Sequence, residues 1–376
     1  MPSLKGKAEM DFAIIGGGIV GIMIARLLKD RGLRVAVVES GRIGHGVTGR
    51  STAKVTAQHR LFLQRIEQSN GADAARVYAE ANRAGVRLIA ELVERHRLAC
   101  DFEPADSFVY ATTVKGAEQL DEEQAAAGRA GLPMQIVGDP GLPFPIRAAL
   151  CLPDQAQFQP VDFVAQLAAT IAGDGSNLFE HSPVIDWSET EVRTEKGSIK
   201  ARCVIMATHL PLGQVGNFHA CTSPHMHAIT AVPVDPARAP PGMYISVDEP
   251  KRSLRRHRMA NGDTMLILTG PTFKHGDAEA EQEGFAQLDR FAQDHFGCPG
   301  GGYRWTNEDY APSDGLPYVG WSGAAGESLL VATGFDAWGL STGAAAALII
   351  ADLCESRENV WAGTFDASRH SLTGLR

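Results

Sequence analysis

Apolar runs broken by glycines dominate the chain, and the first of them sets the pattern. Phe12-Ala13-Ile14-Ile15 is wholly apolar, glycines occupy 16–18, and apolar residues then recur at helical spacing from Ile19 to Leu28. Such a run predicts a buried strand over 12–15, and the later spacing predicts a helix over 19–31. "LRVAVVES" predicts a second buried strand ending in Glu39. Helical periodicity covers about 61–96, and Pro160 in "FQPVDFVAQLAATIA" suits a helix start. Residues 182–208 read as a strand and a hairpin turning at Lys196-Gly197, closing on the apolar strand "SIKARCVIMATH" with Ala207-Thr208 near its end. "SLLVATGFDAWGLSTGAAAALIIADLC" (328–354) predicts a strand, a Gly-rich loop and a helix of small residues. "GMYISVDEP" and "TMLILTG" read as adjacent strands with a turn at Asn261-Gly262-Asp263. "DEEQAAAGRAG" (121–131) reads as a solvated helix end.

The 376 residues allow two domains or one large domain with an insertion, and a net charge of −9 argues against nucleic acid or anionic membrane as a partner. The basic cluster at 251–258 is expected to be a solvated face, with a local site as the alternative. The six cysteines show no paired spacing, which fits reduced thiols in a cytoplasmic protein. Cys221, His225 and His227 lie close in sequence, but no second ligand cluster supports a metal, and none is expected. No stretch has the make-up of a signal peptide or a membrane span.

Candidate chemistry begins at Gly16, Gly18 and Gly21. In GxGxxG spacing the first glycine makes the turn, the second admits a pyrophosphate, and the third packs helix on strand. Strand before, helix after, and an acid at the end of the next strand complete a dinucleotide site, with Glu39 placed for the ribose hydroxyls. Sheet-forming material returns only in the middle and at the end of the chain. That layout is expected for FAD and not for a simple NAD domain. A helix starting near Ser341-Thr342-Gly343 would turn its N-terminal amides toward the electron-rich edge of a reduced flavin. "GVTGRSTAKVTAQH" (46–59) combines small residues with Arg50 and Lys54, as a loop pressed against an anion would.

With "IIGGGIVG", "GVTGRSTAKVTAQH", "PPGMYISVDEPKRSLR", "YRWTNEDYAPSDGLPYVG" and "VATGFDAWGLSTGAAAALIIADL", the chain resembles the D-amino-acid oxidase-like FAD oxidoreductases, which include glycine and sarcosine oxidases. It is most similar to a branch that often carries a C-terminal Rieske domain. No CxH or CxxH pair follows "NVWAGTFDASR", so that domain is not expected. Two further departures are His209, where Ala-Thr-Gly is usual, and Arg50, where histidine is expected. With Arg50 there, FAD is expected to be non-covalent.

The resemblance implies an α/β fold with an α+β second part: a Rossmann-like FAD-binding domain (1–85, 150–215, 305–376) and an antiparallel-sheet substrate domain (86–149, 216–304). It implies FAD contacts from Gly16, Gly18, Ile19, Val20, Gly21, Glu39, Ser40 and Arg42. Further along the chain, Thr48, Arg50, Ser51, Thr52, Ala53, Lys54, Val184, Ala207 and Thr208 follow. The last part adds Gly315, Gly334, Gly339, Leu340, Ser341 and Thr342. Tyr244, Arg255, Lys274 and His275 are the candidate substrate contacts.

The expected activity is oxidation of an amine or amino acid by hydride transfer to flavin N5, with oxygen as acceptor. The usual lysine on a substrate-domain strand is absent from the apolar 265–268, so Lys54, with Arg50, is the candidate for catalytic cation. One alternative is a dehydrogenase of a 2-hydroxy acid or amine passing electrons to a quinone or protein partner. Another is a flavin-binding tailoring or subunit protein without independent turnover.

Overall fold

The computed structural model describes residues 1–213, 215–298, 302–323 and 329–371. Its centre is a six-stranded sheet in the order Asn177–Phe179, Val35–Val38, Phe12–Ile15, Cys203–Met206, Leu329–Thr333 and Tyr318–Trp321. The first five strands are parallel and the last runs antiparallel to its neighbour. The sheet is thus assembled from the start, middle and end of the chain.

The apolar runs are continuous because both faces of this sheet are covered. Ile14, Val37, Ile205 and Leu330 turn to one face, where the helices Ile19–Asp30 and Ser341–Cys354 pack. Ile15, Val38, Met206 and Val331 turn to the other face, joined by Leu4, Val192 and Ile199. That second cover is a four-stranded sheet of Gly6–Glu9, Gly197–Lys200, Glu191–Thr194 and Val184–Trp187.

A larger, eight-stranded sheet runs Tyr303–Pro312, Thr222–Pro233, Thr264–Phe273, Ser253–Arg258, Met243–Ser246, Ser107–Ala111, Ala148–Leu152 and Gln135–Val137. The helix Ala278–Phe296 buries one face of it through Leu288, Phe291 and Phe296 against Leu254, Leu266 and Leu268. The opposite face carries the polar residues of the site. The boundaries expected at 149/150 and 304/305 fall inside Ala148–Leu152 and Tyr303–Pro312, both strands of this sheet.

Three local expectations are corrected. The strands at 243–246 and 264–273 are not neighbours, because Ser253–Arg258 lies between them and pairs with both. The basic cluster is therefore no solvated face in its middle: Ser253, Leu254 and Arg255 are buried. Arg255 is accommodated because its guanidinium donates to the Thr52, Arg256 and Phe158 carbonyls. Finally, Glu123, in the helix Val114–Arg129, is fully buried rather than solvated. Its carboxylate accepts the amides of Leu63 (3.1 Å) and Gln64 (2.9 Å), capping the helix Phe62–Asn70. No helix among the described residues is long and apolar enough to cross a membrane.

Candidate active site

A cavity of about 550 Å³ lies between the carboxyl ends of the parallel strands and the polar face of the eight-stranded sheet. This is where open α/β sheets place their ligands. At its inner end the chain turns at Gly16, whose φ of +109° and close neighbour admit only hydrogen: a Cβ would lie 2.3 Å from the Ala207 carbonyl oxygen. A Cβ on Gly21 would lie 2.0 Å from the Gly16 carbonyl oxygen, so the third glycine serves helix-on-strand packing and does not face the cavity.

Gly18 does face the cavity, across from Thr48, whose Oγ1 accepts the Ile19 amide at 3.1 Å. Glu39 closes the turn. One carboxylate oxygen accepts the Gly17 amide at 2.8 Å; the other accepts the Gly41 amide at 2.8 Å and the Ser40 hydroxyl at 3.1 Å.

Of the residues expected around FAD, the cavity is lined by Gly16, Gly18, Ile19, Val20, Glu39, Ser40, Thr48, Ser51, Thr52, Ala53, Lys54, Val184, Ala207, Thr208, Gly339 and Leu340. The others stand outside the lining. Arg42 and Arg50 are exposed, and Arg50 uses its carbonyl to accept the Trp305 indole N–H at 2.8 Å. Gly315 and Gly334 adopt positive φ in turns beside Arg65 and Pro312. Ser341 and Thr342 turn their hydroxyls away, toward His59 (3.0 Å) and Asn82 (2.8 Å). This helix start reaches the cavity through Gly339 and Leu340, just ahead of it.

None of the four expected substrate contacts lines the cavity. Tyr244 points into the helix-covered core, stacked on Phe108 with its hydroxyl donating to the Pro140 carbonyl at 2.7 Å. Arg255 lies behind the Thr52 carbonyl, and Lys274 and His275 are exposed near the end of Thr264–Phe273.

The cavity wall they were meant to form is made by His209, His227, Lys251, Ser253, Thr269, Asn307 and Asp309 instead. Sequence reading met His209 as a departure, His227 in a discounted metal run and Lys251 and Ser253 in the basic cluster, but named none of the wall residues as a site contact. The available signal was spacing by two: Ser223, His225 and His227 in one strand, and Asn307 and Asp309 in the other. His227 and Asn307 are register partners on neighbouring strands.

Burial shapes the charges here. Lys54 donates to the hydroxyls of Ser253 and Thr52, while burial and the cations Arg255 and Lys251 push its pKa down to about 7. Lys251 is lowered by burial and by Arg60. Burial, reinforced by Asp336 and Glu308, raises Asp309 to about 7, against the Ala337 amide and Lys251. His227 is held well below its usual range by burial and nearby cations, and is neutral. His209 adopts φ +68°, the left-handed conformation that glycine favours, and is held by a 3.0 Å contact to the Glu308 carbonyl.

Several buried side-chain atoms on this lining lack a protein partner: Ser51 Oγ, both ring nitrogens of His227, Thr269 Oγ1 and Asn307 Oδ1. Buried polar groups are normally paired, so these point to a polar ligand. Together with the glycine cradle and Glu39 at the other end, the residues present fit a flavin dinucleotide. Among the described residues no group of His, Cys, Asp and Glu could hold a metal ion, and all six cysteines are free thiols.

Comparison with known proteins agrees with this geometry. The family described as FAD dependent oxidoreductase matches residues 11–353. A putative Rieske 2Fe-2S iron-sulfur protein, YhfW of Bacillus subtilis (strain 168), is 30% identical over 375 residues, 99% of this chain and 74% of that protein. Glycine oxidase of Geobacillus kaustophilus (strain HTA426) is 25% identical over 392 residues, 96% of either chain. The crystal structure of glycine oxidase from Geobacillus kaustophilus superposes with a TM-score of 0.78 at 23% identity, covering 96% of this chain and 99% of that one. L-proline dehydrogenase from P. horikoshii follows at 0.76 and 19% identity, covering 99% and 100%.

Proposed function

Because the chain belongs to the family of FAD-dependent oxidoreductases, we propose that it oxidises a carbon–nitrogen bond of an amine or amino acid, with oxygen as the electron acceptor. The observation that carries this reading is the cavity itself. A dinucleotide cradle at Gly16, Gly18 and Glu39 opens directly onto a wall of buried, unpaired hydrogen-bonding groups. Two similar proteins, glycine oxidase and L-proline dehydrogenase, are named for amino acids.

When bound, non-covalent FAD would supply the hydride acceptor. Gly18 would leave room for its pyrophosphate, Glu39 would face its ribose, and the residues from Ser51 to Lys54 would line its ring. The positive end of Ser341–Cys354 would lie beside it, since Gly339 and Leu340 line the cavity. His227, Asn307 and Thr269 offer hydrogen bonds to the substrate, and water hydrolyses the imine product. Lys54 supplies a cation beside the reacting centre, where negative charge develops as oxygen is reduced. A buried site magnifies that effect.

Flavin-loaded protein mixed anaerobically with a panel of amines and amino acids should lose its yellow absorbance with at least one of them. A flavin left oxidised by the whole panel would sink the proposal. A second reading, transfer of electrons to another redox protein, is favoured by the similarity to a protein named for a Rieske cluster. Hydrogen peroxide formed in equal amount to substrate consumed supports the oxidase; little or no peroxide supports the second reading.

A further inference from the structure

We infer that Asp309 receives the ammonium group of the substrate and takes its proton, so that the substrate enters as a cation and is oxidised as the free amine. The inference rests on the amine reading above. It begins from a property of the cavity wall: nearly all of its charged groups are cations or shielded acids, and one buried carboxylate stands among them.

Three carboxylates line the cavity. Glu39 is held by the Gly17 and Gly41 amides at the dinucleotide end. Glu308 turns toward the exposed His275, at 3.9 Å. Asp309 is 6% exposed and lies two residues along the strand from Asn307, so both side chains share the face that lines the cavity. Asn307 pairs in register with His227, whose two ring nitrogens are buried and unpartnered. An ammonium at Asp309 would therefore meet a carboxylate, a neutral imidazole nitrogen and the Asn307 carbonyl oxygen. Those are three acceptors for its three N–H donors.

The groups facing Asp309 come from every neighbouring element. Lys251 lies in the turn between Met243–Ser246 and Ser253–Arg258, and is the cation acting on it. Asp336, from the loop before Ser341–Cys354, adds negative charge but is itself engaged by Arg65 at 3.4 Å and His225 at 3.6 Å. Glu308 adds negative charge from the same strand, and His225 is the register partner on the adjacent strand. Lys251 thus opposes the two acids and favours an ionised Asp309.

Lys54, which is neutral only above about pH 7, is the competing base there. It lies among Arg255 and Lys251, so gaining a proton there would add a third cation to the group. Proton transfer to Asp309 removes charge instead: the ammonium N–H bond breaks, an O–H bond forms on the carboxylate, and the nitrogen lone pair is freed. A buried carboxyl titrating at about 7 is matched to that task at neutral pH.

The test uses flavin-loaded protein and two probes, α-aminoisobutyrate and tert-butylamine. Neither has a hydrogen on the nitrogen-bearing carbon, so each binds without being oxidised, and binding is read from the flavin absorbance. For wild type, the affinity of at least one probe should fall by about tenfold between about pH 8 and pH 6, as Asp309 becomes protonated. Asp309→Asn should weaken binding at the higher pH by about thirtyfold and flatten the dependence. Asp309→Glu, which keeps the carboxylate, should restore the slope, and it stands in if Asp309→Asn loses its flavin. Wild-type affinity and slope in Asp309→Asn, or no binding of either probe to wild type, overturns the inference. If amines reduce the flavin and Asp309→Asn reduces as fast as wild type, only this inference falls. If no amine reduces wild type, the amine reading falls and takes this one with it.

Discussion

Lys54 and Ser253 are joined directly: the lysine ammonium donates to the serine hydroxyl, linking the strand Lys54–Val55 to the centre of the eight-stranded sheet. The cation is thereby held at the cavity wall at the meeting of the two large sheets. Ser253 belongs to the basic stretch that reads as solvated in sequence.

Replacing that cation tests the oxidase reading. Lys54→Met is expected to slow reoxidation of reduced flavin by oxygen by about two orders of magnitude, while anaerobic reduction by substrate changes little. Burial, Arg255 and Lys251 hold the lysine near 7, so the charge is present below that value and lost above it. Wild-type reoxidation should accordingly be fastest in acid and fall as pH rises through about 7, and Lys54→Met should lose this dependence. Stopped-flow measurement of both half-reactions checks it; unchanged half-reactions exclude a catalytic role for Lys54.

The first two glycines of the cradle should fail differently. A Cβ on Gly18 meets only Thr48 Oγ1, at 3.2 Å, so Gly18→Val should fold but lose FAD, and with it the stability that a ligand of the folded state confers. Gly16→Ala places a Cβ 2.3 Å from the Ala207 carbonyl oxygen at positive φ, so it should destabilise even the apoprotein. Flavin content after gel filtration and melting of the apoproteins separate the two effects. Stoichiometric FAD in Gly18→Val contradicts the placement.

Glu123→Ala removes the acceptor of the Leu63 and Gln64 amides, and should cost about 1–2 kcal/mol in denaturant unfolding. Burial raises this carboxyl to about 7 in the folded state, above its ordinary 4.5. Its contribution is therefore full below about 4.5 and fades as pH rises toward about 7, as the folded protein must ionise a buried acid. Melting temperatures across that window should fall less steeply in Glu123→Gln than in wild type.

Tyr244→Phe should leave the ranking of substrates unchanged, because the side chain belongs to the core between Phe108 and the Pro140 carbonyl. Loss of that hydrogen bond should cost about 1 kcal/mol of stability. A changed substrate ranking with unchanged stability would return Tyr244 to the site.

Local pattern alone determined the dinucleotide end of this protein. Gly16, Gly18, Gly21 and Glu39 lie within one strand–turn–helix–strand unit, so their mutual geometry follows from backbone rules acting over a short span. The buried parallel strands were legible for the same reason, since a strand covered on both faces must be apolar throughout. The polar wall of the cavity was not legible, because no local rule brings its parts together. His227, Lys251, Thr269 and Asp309 come from different segments of the chain and meet only through strand register and a turn between strands. Which face of each strand meets the cavity was decided by the helix Ala278–Phe296. By burying Leu254, Leu266 and Leu268 on one side, it left the alternate residues of the same strands to the other. That packing sent Tyr244 into the core and left His227 and Thr269 to the cavity.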